Sequence, residues 1–508
     1  MAVIRPLVVS ATLVSAAFSG TAALADVTAD QVWQDWKAYL GTFGYEVAGD
    51  EQKAGDTLAI SNIAMSVTAP DMPSLVTLRM SRMELIENAD GTVSVILPAT
   101  TPIAMVSDVE PGKTTTATME LAQRALKMTV SGTPEAMQYA YDADEVSLEL
   151  TGLDIDGDAV EIGEARIAFA NMRGTSESIR NADLRDIRQQ MAAGPVTYGL
   201  DFTDPDAGGH LSLTGSLASA GFDGTVSLPS GIDNTDMVAS LDAGFRFDSA
   251  MTYENASVAY ALEDSGDTIE GTSASAGGSL RSVFGPEGLG YQAKGRDLDI
   301  TVTSSDLPFP VTFGMARSGF DMKMPVAQGE EAQDFALAVE LGDFTLSEVI
   351  WSLFDPAGQL PRDPATLAFD LTGKGRLFVD LLDPGQMENL ADSGDAPGEL
   401  QSLDLNSMTL RAAGATLTGD GGFVFDNSDL TSFDGIPAPE GAIDLKLIGG
   451  NGLLDTLIAM GFVPKDQAMV ARMMVGMFAV VGEGEDTLNS RIEVNEQGHV
   501  LANGQRLR

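Results

Sequence analysis

The chain has no cysteine, two histidines and 29 basic residues against 74 acidic ones in its 508. Each shortage removes a class of function. Without cysteine there are no disulfides, no thiolate metal sites, no thiol nucleophile and no lipidated N-terminal cysteine. The two histidines, His210 and His499, each follow a glycine-marked turn and are far apart in sequence. A catalytic zinc site ordinarily takes two or three histidines at close spacing, so none can be read here. No Gly-x-Ser-x-Gly elbow and no Gly-x-x-x-x-Gly-Lys phosphate loop occurs. No catalytic residue, metal site or cofactor is expected.

The shortage of bases leaves a formal charge of -45, spread along the chain rather than gathered in a tail. That field repels nucleic acid and anionic membrane surfaces. Aromatic residues make up 6%, too few for the two girdles of an outer-membrane barrel, and the final residue, Arg508, is not aromatic. Long apolar runs are scarce too. Leu7 to Phe18 is too short and too rich in Ser, Thr and Ala to span a bilayer well, and Arg472 interrupts the apolar run near the C-terminus.

What the N-terminus does carry is the layout of a secretory signal. Arg5 precedes the Leu7–Phe18 run, and Ala23-Leu24-Ala25 supplies a small-x-small cleavage site. Removal of Met1 to Ala25 is expected to release a chain beginning at Asp26 into the periplasm, with no stable transmembrane anchor.

Beyond the signal, Thr28 or Asp30 can cap a helix, on which Val32, Trp36, Tyr39, Leu40 and Phe43 recur at helical spacing. Trp33 and Trp36 are expected to dock it on a sheet. From about Leu58 the texture becomes period two, for example Val258, Tyr260, Leu262 or Phe335, Leu337, Val339, Leu341. Such alternation marks antiparallel strands with one apolar and one polar face. Leu-Thr-Gly recurs at Leu150, Leu213, Leu371 and Leu417, at irregular intervals that fit a strand exit in a long meander better than a solenoid. Helical composition interrupts the strands at 121–128 and 178–193. A clearer interruption is a helical hairpin near the end, with Met469, Met473, Met474 and Met477 in its second arm.

The predicted fold is mainly β: one or more long, twisted antiparallel sheets with an N-terminal helix and a C-terminal helical hairpin. The expected divisions are a signal at 1–25, a helix and β region at 26–230, a β region at 231–450, the helical hairpin at 451–482 and a terminal β-hairpin at 483–508. Whether the sheet opens into a curved apolar groove or closes on itself stays open.

Asp154-Ile-Asp-Gly-Asp158 resembles a calcium loop, but the positions that need Gly and Glu hold Ala159 and Ala165, so it reads as an acidic hairpin turn. The most distinctive run is Trp351 to Pro364. Three prolines in nine residues make it a rigid loop, with Trp351, Phe354 and Leu360 as anchors. That run resembles the exported bacterial proteins grouped as domain of unknown function 2125. So do the segments Asp420–Asp426 and Asp434–Pro439 and the closing Val500–Arg506. The resemblance implies no activity and no site residues. In strand texture alone the chain is also similar to AsmA-like envelope proteins, whose curved sheets imply an apolar groove and lipid or envelope partners.

The expected function is therefore that of a non-enzymatic carrier which holds or passes lipid or another apolar ligand. Phe335, Leu337, Val339, Leu341, Trp351, Phe354, Met473 and Met477 are the candidate contacts. A scaffold or interaction protein with a closed β core, and a carboxylate-dependent hydrolase, are the alternatives.

Overall fold

A capping box starts the first helix. The Thr28 hydroxyl accepts from the Gln31 amide, and the Gln31 side chain reaches back to the Thr28 amide. The helix, α1 (Ala29–Thr42), stops just before Gly44, whose φ of 81° suits glycine. The computed structural model describes residues 26–68, 75–110, 113–181, 183–204, 208–230, 232 and 236–508. The expected secretory signal lies outside them.

Among the described residues, the strands after α1 form one antiparallel sheet of 27 strands. It starts at an edge with β1 (Glu46–Ala54), then β2 (Thr57–Thr68) and β3 (Leu75–Glu87). The next two places are each filled by two short strands end to end. These are β4 (Val93–Ile96) with β5 (Thr100–Glu110), then β6 (Lys113–Arg124) with β7 (Lys127–Thr133). Both β6 and β7 pair with the long β8 (Ala136–Ile155), which turns into β9 (Asp158–Val160) and is followed in the sheet by β10 (Ile162–Arg180). Split places recur with β11 (Leu184–Ala193) and β12 (Val196–Thr203), then β13 (His210–Leu217) and β14 (Ser219–Pro229). A short helix, α2 (Met237–Asp242), leads to a plain meander: β15 (Arg246–Asp264), β16 (Asp267–Gly285), β17 (Gly288–Ser304), β18 (Val311–Met324) and β19 (Gln333–Leu346).

Helix α3 (Glu348–Phe354) precedes β20 (Ala365–Leu377), and α4 (Pro384–Ser393) precedes β21 (Gly398–Ala412). The sheet continues through β22 (Ala415–Asp426) and β23 (Ala438–Ile448). Helices α5 (Gly450–Ala459) and α6 (Lys465–Phe478) form the C-terminal hairpin. The chain ends with β24 (Val480–Val481), β25 (Thr487–Val494), β26 (Val500–Ala502) and β27 (Gln505–Arg506). Roughly twenty strand places at ~4.8 Å make a ribbon on the order of 95 Å long. Its end strands β1 and β27 each pair with one neighbour, so pairing does not close the sheet.

The segments 121–128 and 178–193, expected as helix, are strands in β6, β7, β10 and β11. Leu184, Ile187 and Met191 have helical spacing. However, β11 lies between β10 and β14, with all ten residues paired to β14 and eight of them to β10, and that pairing overrides local preference.

A line of left-handed residues creases the ribbon lengthwise. Asn62 in β2, Asn171 in β10, Asn255 in β15, Asp297 in β17 and Asp343 in β19 have φ between 47° and 55°. Asn and Asp tolerate this region better than other side chains that carry a Cβ. At each crease the apolar alternation slips by one. In β15 it runs Phe247, Met251, Tyr253 and then Val258, Tyr260, Leu262. In β17 it runs Leu289, Tyr291 and then Leu298, Ile300, Val302. The slip keeps both halves facing the same space. Ile60 and Ile63, on either side of Asn62, belong to one buried cluster. Replacing Asn255 with Val is expected to lower stability by ~1–2 kcal/mol, because a β-branched side chain is strained there. Replacement with Gly is expected to be far milder. Thermal unfolding of both variants checks this, and equal melting temperatures would contradict it.

Candidate functional site

The ribbon has two unlike faces. Register alone places Leu341, Leu367, Leu410, Leu417, Leu447 and Leu488 opposite one another on six successive strands from β19 to β25. Beside this leucine row run Val339, Phe369, Met408 and, nearer the other strand ends, Leu337, Leu371, Leu405. The reverse face carries Glu340, Ala368, Thr409, Thr418, Lys446 and Asn489 on the same strands. It also carries the ion pairs Arg317–Glu340 (2.7 Å) and Lys374–Asp334 (3.0 Å). One face is therefore apolar and the other is wet.

No residue of the leucine row is buried. Leu341, Leu367 and Leu410 are 40, 41 and 47% exposed, and Met251 is 47% exposed. In a closed sandwich, inward rows of this kind are sealed between two sheets. Two glycines help to flatten the face. The Tyr260 ring lies over Gly271, where a Cβ would fall 2.2 Å from Cζ, and the Phe335 ring lies over Gly373 in the same way at 2.4 Å. At the turn ends of β18 to β21 the face deepens into a cavity of about 500 Å³. Met322, Met324, Phe335, Leu337, Leu377 and Leu400 line it.

The structure brings four of the eight candidate contacts together. Phe335, Leu337, Val339 and Leu341 alternate along one face of β19. Trp351 and Phe354 pack together on α3, ring centroids 5.0 Å apart and planes tilted by 45°, past the end of β19, with the Arg362 guanidinium over the Trp351 ring. Leu360 is buried as an anchor of the proline loop, but Phe354 is 37% exposed. The residue that pins this loop is Asp355, fully buried, whose carboxylate accepts from the amides of Gln359 (2.9 Å) and Leu360 (2.8 Å). An Asp before a proline-rich turn hinted at this, since aspartate caps turns through its carboxylate. Met473 and Met477 lie on α6, which rests on α5 and β25 rather than over β19.

The first part of the apolar face has a sealed core. Val32 and Trp33 of α1 pack on Leu58, Ile60, Leu85, Val93 and Val130. Both tryptophans dock the helix, and each finds a polar partner. Trp33 Nε1 donates to Glu51 (2.6 Å) and Trp36 Nε1 to the Tyr139 hydroxyl (3.1 Å). Beneath α1 an ion pair is buried: Arg185 donates to both carboxylate oxygens of Asp35, at 2.7 and 2.9 Å, and Arg180 adds a bond at 3.3 Å. A cavity of about 210 Å³ lies alongside, lined by Trp36, Tyr39, Tyr139 and Ile187 among others.

Burial, with the Asp35 carboxylate beside it, pushes the Tyr139 phenol up to about 12 from its usual 10. A raised folded value means stability that is complete below pH 10 and is lost as pH rises toward 12, by ~2–3 kcal/mol. The Tyr139→Phe variant is expected to lose less stability than the natural protein across that window. Parallel pH curves would contradict the assignment.

The comparison with family models fits this division of the chain. Residues 233–503, just over half of the chain, match the family described as "Uncharacterized protein conserved in bacteria (DUF2125)". The chain belongs to this family. The matched part of this DUF2125 protein begins before α2 and ends in the last strands, so it holds the leucine row, the cavity of about 500 Å³ and the helical hairpin. The sealed core under α1 lies outside it. No curated protein matches the chain. Among the described residues no helix is long and apolar enough to cross a membrane.

Proposed function

We propose that this protein is a non-enzymatic periplasmic carrier that holds lipid or another apolar ligand on the open face of its sheet. One observation carries the reading: a contiguous apolar face left 40% exposed or more at Leu341, Leu367 and Leu410, backed by a polar face. Exposed apolar patches beyond a few hundred Å² mark binding surfaces rather than ordinary solvent-facing surface. The secretory layout of Met1 to Ala25 supports the compartment, and the AsmA-like strand texture supports the ligand class. A scaffold with a closed β core fits the exposure of the leucine row poorly. The test is uptake of a fluorescent fatty acid by protein purified without detergent. Saturable binding is the expected result, and its absence would sink the reading.

A further inference from the structure

Helix α6 rests on α5 and β25 along one narrow side and leaves the rest of its surface open. Of its 14 residues only Ala468 is buried. Val470, Met473, Met474 and Met477 on the opposite side are 53, 66, 52 and 54% exposed, and Val481 just beyond is 84% exposed. A helix of this length is marginal in water without packing. Its position is informative. The α5–α6 hairpin joins β23 to β25 at the strand ends where Leu447 and Leu488 finish the leucine row. The same edge carries α3, whose Leu353 is 66% exposed.

Two quantities separate the candidate occupants. From Gly450 to Gly482 the charged residues are Asp455, Lys465, Asp466 and Arg472, a balance of zero in a chain of -45, and Arg472 pairs with Asp455. This is a stretch that a bilayer surface does not repel, although it repels the chain as a whole. A second copy of the chain fits less well. One helix face ~21 Å long and ~10 Å wide offers roughly 200 Å², against about 800 Å² per partner in a stable interface. A bilayer needs no matching surface, and flexible methionines suit an irregular acyl environment.

We propose that α6 docks in the surface of a phospholipid bilayer and brings the end of the leucine row to the lipid. The role of this contact rests on the carrier reading, but its test does not. The natural protein is expected to float with vesicles of pure phosphatidylcholine. The double variant Val470→Asp/Met474→Asp is expected to bind them at least tenfold more weakly, while melting at the same temperature and taking up fatty acid as before. Absence of flotation by the natural protein, or equal flotation by the variant, would overturn the proposal. So would a dimer in sedimentation that the double variant abolishes, which would assign α6 to a second copy. Failed fatty-acid uptake with intact flotation would sink the carrier reading and leave membrane docking standing.

Discussion

Arg185→Ala is expected to cost about 3–5 kcal/mol of folding stability, the largest loss of any single substitution discussed. Its partner Asp35 is 5% exposed at the side chain, and Arg185 itself is 9% exposed. Removing one member of a buried pair strands the other charge without water, and that penalty exceeds the net value of the pair. Arg180 also reaches Asp35, but its side chain is 42% exposed. It cannot follow the carboxylate inward without losing its own solvation, so Arg180→Ala is expected to cost less than ~1 kcal/mol. The double variant Asp35→Leu/Arg185→Leu is expected to recover much of the loss, because it buries no charge. Denaturant titration of the three variants checks the ranking. Equal effects of Arg180→Ala and Arg185→Ala would show that the bidentate pair does not anchor α1.

Leu341→Asp/Leu410→Asp is expected to weaken fatty-acid uptake at least tenfold with little change in stability. Both side chains are already 40% exposed or more, so removing them leaves no cavity inside the protein. Their remaining surface disappears only beneath a bound chain. Burial of a leucine is worth ~1.5–3 kcal/mol, so roughly half of that is lost at each site, and a carboxylate facing hydrocarbon adds a further cost. A tenfold loss needs only ~1.4 kcal/mol. Thr409→Asp lies on the reverse face beside Leu410 and serves as the control. It is expected to bind as the natural protein does. Equal loss in the control would show that added charge, not the apolar face, is responsible.

Much of this architecture was legible in the residues. Period-two runs such as Phe335 to Leu341 named the strands and, through β19, the open face. Thr28 or Asp30 as a cap, with Trp33 and Trp36, marked α1 and its docking. Other features needed partners that no local pattern reveals. The leucine row is a property of register across six strands, and none of its members is conspicuous alone. Helical spacing in 178–193 misled because sheet pairing on both sides outweighs propensity. The pairing of Asp35 with Arg185 spans 150 residues. The crease was visible only in hindsight, as isolated Asn and Asp residues where the alternation slips by one. Trp351 and Phe354 were grouped with the β19 row by composition, but the chain leaves the sheet at Leu346 before reaching them.

Native mass spectrometry of the protein purified without detergent tests the central claim most directly. An open apolar face that holds lipid predicts a mass excess corresponding to bound lipid, released by organic extraction and diminished in Leu341→Asp/Leu410→Asp. A bare polypeptide mass, with no lipid in the extract and none acquired from added fatty acid, would contradict it.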